Sequence, residues 1–366
     1  MNSIATLRPD RHAVHYSDRA LEGGTATAEM PVTAKQMVQR LAAHCARFKG
    51  SDPRQALLQV VNTTLPFVAL IAAMLVGVHF GYWPVLLLAL PAGGLLVRLF
   101  IIQHDCGHGS FLPWRAVNDV VGLGISVLTL APYGFWRRAH ASHHASSGNL
   151  AKRGIGDINT LTVAEYAELS WLGRLQYRIY RHPLFLFGFG VPLYFTVIQR
   201  LPFWQPFSPA EIWRSIVGLN AMMVAFYGTL IWLIGAKTVL IVAVPVVLMA
   251  SAAGGWLFFV QHQFEDTHWS KGADWDFQVA AVMGSSYYVL PKPLQWITGN
   301  IGLHHIHHLC SMVPNYKLQA CLEASPELSA LNRLTVWQSL KCANLALWCE
   351  QRRRLVTFRE AQASPV

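Results

Sequence analysis

Charged residues are scarce in this chain. Asp, Glu, Lys and Arg account for 13% of its 366 residues, whereas soluble domains carry roughly 25%. Hydrophobic residues reach 53%, and the mean hydropathy is +0.32. An ordinary soluble domain is therefore excluded, and a protein that crosses a membrane is favoured.

Two other signals are missing. Residues 1–30 hold no apolar stretch, so a secretory signal peptide is not expected, and we predict a disordered tail over residues 1–32. The six cysteines form no Cys-x-x-Cys pair, and free thiols are expected rather than disulfides. Cys106 and Cys310 lie in or beside histidine clusters, but packing of a small side chain is favoured over metal ligation.

Long apolar runs predict an all-α membrane protein. Each run approaches the roughly 20 residues that cross about 30 Å of hydrocarbon. Tight turns join them in pairs, which predicts four transmembrane helices arranged as two hairpins. The four spans are about residues 58–80, 83–103, 215–235 and 238–262. Two weaker runs, 117–132 and 183–198, are either interfacial or re-entrant, or together form an extra hairpin.

Basic residues are distributed unevenly between the apolar runs. The net charge is +10, and the segment between the second and third long runs is rich in Lys and Arg, including Arg137, Arg138 and Lys152. The positive-inside rule places this segment, both termini and the histidine clusters described below in the cytoplasm. Such a basic face attracts anionic lipid headgroups or an acidic electron carrier, and no nucleic-acid partner is expected.

Two segments outside the long runs have the pattern of basic amphipathic helices. Residues 33–49 carry apolar residues on one side and Lys or Arg on the other. They are predicted to lie on the membrane surface before the first span. Residues 333–355 suggest a similar helix, within a basic amphipathic C-terminal segment at 331–366.

Nine of the 16 histidines fall in three five-residue clusters. Neutral imidazole is a good ligand for iron, zinc and copper, and residues three or four apart share one face of a helix. Eight nitrogens exceed what one ion needs and suit two ions of five or six coordination, for which iron fits. The eight predicted ligands are His104, His108, His140, His143, His144, His304, His307 and His308, whereas His305 falls between ligand positions.

Other polar residues near the clusters are weaker candidates. His262 ends the fourth run and is the predicted ninth ligand, although a histidine snorkelling at the interface would look the same. His268 has little support. Asp105 and Asp157 are predicted to accept a hydrogen bond from the second ring nitrogen of a ligand, although a helix cap or salt bridge explains them equally well. The isolated histidines are expected to be structural or solvated: His12, His15, His44, His79 and His182.

The series H-x3-H, H-x2-H-H, H-x2-H-H resembles the integral-membrane fatty acid desaturases, and more narrowly the bacterial Δ12/ω6-type acyl-lipid branch. The Δ9 acyl-CoA branch usually has four residues between its first two histidines, whereas this chain has three, so that branch is disfavoured. Supporting strings are Gln103-His104-Asp105-Cys106-Gly107-His108, Gly156-Asp157-Ile158-Asn159-Thr160, Gln261-His262-Gln263-Phe264-Glu265-Asp266 and Gly299-Asn300-Ile301-Gly302-Leu303-His304.

The resemblance implies a desaturase domain over residues 33–330, with a cytosolic helical cap carrying a di-iron site of two iron ions. It implies an enzyme of the bacterial inner membrane that introduces a cis double bond into acyl chains of membrane lipids, using O₂ and two electrons. The chain has no His-Pro-Gly-Gly string, the mark of a fused electron donor, so a separate donor such as a ferredoxin is expected.

Two alternative functions remain open at this stage. A lipid or carotenoid hydroxylase or ketolase of the same superfamily would use nearly the same ligands. A metal-binding membrane transporter is disfavoured, because transporters place ionisable groups near the membrane midplane and the four runs here hold almost none.

Overall fold

The computed structural model describes residues 32–154, 156–201 and 209–363. The expected disordered tail lies outside these residues, except for Val32, which begins helix α1 (Val32–Ala46). Helix α2 (Pro53–His79) is capped at its start by the Asp52 side chain and is followed by a 3-10 turn (Trp83–Leu88) and α3 (Ala89–His108). Gly81, with φ at +72°, makes the turn between them.

Short helices occupy the middle of the chain. They surround two bends, of 100° after Thr129 and of 61° after Arg181. In chain order the elements are α4 (Arg115–Thr129), α5 (Tyr133–Ser146), β1 (Leu161–Thr162), α6 (Val163–Glu168), α7 (Trp171–Arg181), α8 (Pro183–Phe185), a π-turn (Leu186–Gly190), α9 (Val191–Thr196) and a 3-10 turn (Ile198–Arg200).

A second pair of long helices follows, α10 (Pro209–Ile234) and α11 (Ala236–His262). Gly235, with φ at +83°, is the single residue between them. Four helical segments are long and apolar enough to span a membrane, and many of their outward side chains are apolar and exposed, as lipid contact requires. The predicted two hairpins are confirmed. Gly93 lets α3 approach α11, since a Cβ there would lie 2.8 Å from Met249 Cβ.

The weaker apolar runs do not cross the membrane. His108 ends α3 and His140 lies in α5, yet their Nε2 atoms are 3.1 Å apart, so the chain between them returns to the side that it left. Arg138 of α5 pairs with Glu211 at the start of α10, and the chain between those residues returns in the same way. The interfacial or re-entrant alternative therefore holds, and an extra hairpin built from both runs is excluded.

The remaining elements follow α11, and we call residues 263–363 together with α1 and α5 the cap. They form a two-stranded parallel sheet of β2 and β3, and they add β4 and β5 to β1, which makes a three-stranded sheet in the order β1-β4-β5. The elements are α12 (Phe277–Met283), β2 (Tyr287–Val289), α13 (Lys292–Ile297), α14 (His304–Leu309), α15 (Asn315–Glu323), α16 (Pro326–Ala330), β3 (Arg333–Thr335), α17 (Val336–Cys342), β4 (Leu345–Cys349), β5 (Arg354–Thr357) and α18 (Phe358–Gln362).

The prediction of one amphipathic helix over 333–355 is wrong. The only helix there within the described chain is α17, which starts at a capping box on Thr335 and ends at Cys342. All five residues of β4 are buried, since it is the central strand of its sheet. A strand buried on both faces has no alternating pattern, and a short apolar run of this kind is easily mistaken for a helix face.

Helix α1 forms as predicted, but its apolar face does not lie on the membrane. Val38, Leu41 and Cys45 are at most 2% exposed and pack against α14 and its neighbours, including Ile306 and Leu318. The same amphipathic pattern serves a membrane surface or a protein surface. In this protein the apolar face of α1 packs against α14, the helix that carries the third histidine cluster.

Candidate metal centre

Four helices bring the predicted ligands to one place. The last turn of α3 carries His104 and His108, α5 carries the second cluster, α11 ends at His262, and α14 carries the third cluster. Just before α14, the backbone of Gly302 packs closely against that of Tyr288, and Tyr288 N donates to Gly302 O at 2.7 Å. A Cβ on Gly302 would lie 2.8 Å from the carbonyl oxygen of Tyr288, so only glycine fits there.

The first histidine group draws on three helices. Its five ring nitrogens, one from each residue, all lie within 4.8 Å of one another. The Nε2 atom of His140 is 3.1 Å from those of His108 and His144, and His144 Nε2 is 3.1 Å from His307 Nε2. The group consists of His104, His108, His140, His144 and His307.

The second histidine group lies directly beside the first. It contains His143, His262, His304 and His308, whose ligand nitrogens also lie within 4.8 Å of one another. His262 Nε2 is 3.2 Å from His143 Nε2 and 3.0 Å from His304 Nε2. The rings of His144, from the first group, and His308, from the second, stack at 4.0 Å between centroids, so the two groups are in direct contact.

Both groups fit metal ions. Nitrogen ligands about 2.0–2.1 Å from an ion and roughly at right angles lie about 3 Å apart, which matches the Nε2 spacings of 3.0–3.2 Å. Buried ring nitrogens without a hydrogen-bond partner also occur in each group: His104 Nε2, His304 Nδ1 and both nitrogens of His308. Unpaired polar atoms are costly to bury unless a ligand satisfies them.

The second ring nitrogen of three histidines is anchored, which fixes the tautomer. His104 Nδ1 donates to Asp105 Oδ1 at 2.9 Å, His143 Nδ1 donates to Asp157 Oδ1, and His262 Nδ1 donates to the Gly284 carbonyl at 3.1 Å. Because these acceptors need a proton on Nδ1, each Nε2 keeps its lone pair for an ion. The predicted positions of Asp105 and Asp157 agree with this geometry.

A hydrogen-bond chain behind Asp105 was not predicted from the sequence. Asp105 Oδ2 accepts from the Asn315 backbone N at 2.6 Å and from its Nδ2 at 2.9 Å, while Asn315 Oδ1 accepts from Gln59 Nε2 at 2.8 Å. All three side chains are at most 4% exposed. The sequence carries no signal for it, since Asn315 begins α15, 210 residues after Asp105.

The surroundings keep the imidazoles neutral. Burial lowers the pKa of His304, His307 and His308 well below its ordinary value, and neighbouring histidines lower it further. Neutral imidazole is the form that binds metal. Trp136 stacks on His140 at 4.7 Å, and Phe258 lies 5.3 Å from the His143 ring. Water is thereby limited on the flanks of both groups.

Several histidines and cysteines stay outside both groups, as expected. His305 Nε2 contacts the Leu328 carbonyl at 3.1 Å and its ring stacks on Tyr287. His268 lies in neither group, and Cys106 and Cys310 are buried free thiols outside both. The structure thus brings together all nine predicted ligands, and their binding of metal remains a prediction.

Comparisons with known proteins point to one family. The fatty acid desaturase family model matches residues 80–339. A fatty acid desaturase of Bacillus subtilis is 38% identical over 92% of this chain and 95% of its own length. An sn-1 acyl-lipid omega-3 desaturase (ferredoxin) of Synechocystis is 28% identical over 86% and 87%. An endoplasmic-reticulum omega-6 fatty acid desaturase of Brassica juncea is 25% identical over 78% of each chain.

The chain belongs to the fatty acid desaturase family. The resemblance seen in the histidine clusters is therefore confirmed, and with it the assignment as a membrane oxidoreductase of the O₂-dependent desaturase type. The Δ12/ω6 assignment stays a prediction, because the similar proteins include both omega-3 and omega-6 desaturases.

Proposed function

We propose that this protein is an acyl-lipid desaturase of the Δ12/ω6 type that introduces a cis double bond into acyl chains of membrane lipids. It would use O₂ and two electrons. The observation that carries the proposal is the convergence of nine histidines from four helices into two adjacent groups at the ends of two membrane spans. An acyl chain rising from the bilayer meets the protein at that level.

Two iron ions are the proposed cofactors. The first would be held by His104, His108, His140, His144 and His307, and the second by His143, His262, His304 and His308. Nitrogen-rich sites of five or six coordination suit iron. Iron supplies, with O₂ and two electrons, the oxidant that an unactivated methylene requires and that no side chain provides.

The protein's own contribution is positioning and exclusion of water. Asp105, Asp157 and the Gly284 carbonyl hold three rings in the orientation that directs Nε2 inward. Trp136 and Phe258 cover the flanks of the two groups, which restricts access of water to the reacting carbon. The double-bond position would be set by which carbon is held beside the ions.

Electrons are proposed to come from a ferredoxin on the cytoplasmic side of a bacterial inner membrane. The net charge of +10 supports an acidic donor, and the Synechocystis relative carries ferredoxin in its name. The positive-inside rule supports cytoplasmic termini and a cytoplasmic histidine centre. Purified ferredoxin should sustain turnover with a rate that falls as salt rises, because screening weakens charge attraction.

The proposal is tested in a bacterial host that makes only saturated and monounsaturated chains. Wild type, His307→Ala and His305→Gln would be expressed with a ferredoxin and its reductase, and double bonds located in total lipids by gas chromatography–mass spectrometry. A new diene with wild type and His305→Gln, but not with His307→Ala, is expected. A new monoene would contradict the Δ12/ω6 type, and a hydroxylated chain would contradict desaturation.

A further inference from the structure

A buried arginine lies inside the second span. Arg98 is 6% exposed, and its Nε donates to Thr63 Oγ1 at 3.0 Å while its guanidinium lies 4.2 Å from the Trp296 ring centroid. Within the described residues no carboxylate lies within ion-pairing distance of it, and its two terminal nitrogens make no hydrogen bond. An unpaired charge buried in a membrane span is costly and marks a functional site.

Arg98 lines a cavity of about 290 Å³, which we call the Arg98 pocket. Its wall comes from α2, α3, α13 and α15, and it also contains Gln59, Asn62, Lys292 and Trp296. Two cations line it and none of the lining residues is acidic. The volume is near the lower end of the roughly 300–1,000 Å³ of small-molecule pockets, so it suits a headgroup rather than a whole lipid.

The pocket also offers one fixed hydrogen-bond acceptor. Gln59 Nε2 donates to Asn315 Oδ1, whose Nδ2 donates to Asp105, so the chain of bonds fixes the orientation of both amides. Gln59 Oε1 is left buried without a partner. A ligand that satisfies Arg98, Lys292 and Gln59 together carries an anion and a nearby hydrogen-bond donor.

The position of the pocket agrees with lipid headgroups. Helix α2 has 27 residues and is therefore about 40 Å long, whereas the hydrocarbon core is about 30 Å thick. The surplus length, together with the polar side chains of Gln55, Gln59 and Asn62 in its first three turns, favours the headgroup zone for this end of α2. Leu58 is 63% exposed and Trp296 is 43% exposed beside the pocket, which is typical of a membrane interface.

We propose that the Arg98 pocket binds the phosphate of a membrane phospholipid headgroup, with Arg98 and Lys292 contacting the phosphate and Gln59 Oε1 accepting from a headgroup hydroxyl or ammonium. Guanidinium binds phosphate through two parallel hydrogen bonds. The chain from Gln59 through Asn315 and Asp105 to His104 connects this pocket to the histidine centre. The pocket would thus hold a phospholipid beside the first histidine group.

The test is lipid binding by the purified, delipidated full chain, measured by native mass spectrometry. Phosphatidylglycerol is added to wild type, Arg98→Gln, Lys292→Gln and the control Arg54→Gln. Arg54 is an exposed cation on the same end of α2 and outside the pocket. We expect Arg98→Gln and Lys292→Gln each to weaken binding about tenfold, the loss of one charge-assisted contact, and Arg54→Gln to leave it unchanged.

Two further additions separate the sources of the phosphate. Diacylglycerol, which lacks phosphate, should bind more weakly than phosphatidylglycerol and equally to all four proteins, whereas inorganic phosphate should compete with phosphatidylglycerol only at high concentration. Tight binding of inorganic phosphate alone, or equal binding of phosphatidylglycerol by wild type and Lys292→Gln, would overturn the proposal. Lys292 is exposed, so its variant should fold even if Arg98→Gln does not. Turnover is not required, so failure here leaves the proposed desaturation untouched.

Discussion

The two histidine groups look alike in ligand type but differ in how their carboxylates are held. Asp105, beside the first group, is 1% exposed and uses both oxygens, one toward His104 and one toward two donors of Asn315. Asp157, beside the second group, bonds His143 through Oδ1, while its Oδ2 is buried without a partner. Both oxygens of Asp105 are therefore hydrogen-bonded, whereas only one oxygen of Asp157 is.

The difference shows that the two carboxylates are positioned in different ways, one by a contact within a short stretch of chain and the other by a contact between distant helices. The contact between His143 and Asp157 spans 14 residues, so the loop after α5 can form it locally. The contact between Asp105 and Asn315 spans 210 residues and requires α3 to meet α15. We therefore expect the carboxylate support of the first group, unlike that of the second, to depend on docking of α15 against α3.

The largest effect is expected from removing a ligand of either group. His307→Ala and His262→Ala should each abolish desaturation, a loss of more than about 10³-fold, because both ions are needed at the reacting carbon. Membrane insertion should stay intact, since neither change alters an apolar run. Product analysis, with membrane fractionation as the control, measures this. Retained activity in either variant would remove that histidine from the ligand set.

A sharper contrast is expected between the two carboxylates. Asn has one acceptor oxygen, so Asp105→Asn cannot accept from both His104 and Asn315, whereas Asp157→Asn can still accept from His143. Asp105→Asn should lower iron affinity by about 10–100-fold and Asp157→Asn by about threefold or less. Chelator competition on the purified variants measures both, and equal losses would show that the carboxylates play the same role.

A smaller effect is expected at Asn315. Asn315→Ala removes one of its two donors to Asp105 but leaves the backbone N–H, so the stability of the native state should fall by about 1–3 kcal/mol. Iron affinity should fall less than in Asp105→Asn. Gln319→Ala, on the same helix and paired with Glu323, is the matched control. Thermal unfolding of both variants checks this, and identical curves would contradict the role of Asn315.

The smallest effect on metal is expected at His305. His305→Gln lies within the third cluster but outside both groups, so iron content should equal that of wild type. Loss of the contact to the Leu328 carbonyl should cost about 1–3 kcal/mol of stability. Metal analysis and unfolding measured on the same preparation separate the two effects. Loss of iron would show that His305 contributes to metal binding although it lies outside both groups.

The sequence predicted the ligands well but not their division between the groups. Spacings of three and four residues put His140 and His144 on one helix face, as the structure has them. His143 and His144 are adjacent and therefore about 100° apart around α5, so they join different groups. Which group each joins depends on where α11 and α14 dock, and local spacing carries no such information.

Tertiary contacts also explain the two wrong predictions about segments of the cap. The apolar face of α1 could serve a membrane or a protein, and burial of Leu41 and Cys45 decides for protein. The run at Leu345–Cys349 is buried because β1 and β5 flank it, and one of these partners, β1 at Leu161–Thr162, lies far away in the chain. The four spans were predictable because their length and hydropathy are set locally.

Metal content of the purified full chain tests the central claim, that the two groups hold one iron ion each. Elemental analysis by mass spectrometry would be made on wild type, His307→Ala and His262→Ala. The account predicts two iron ions per wild-type chain, and a loss in each variant from the group that lost its ligand. One ion per wild-type chain, or zinc in place of iron, would contradict it.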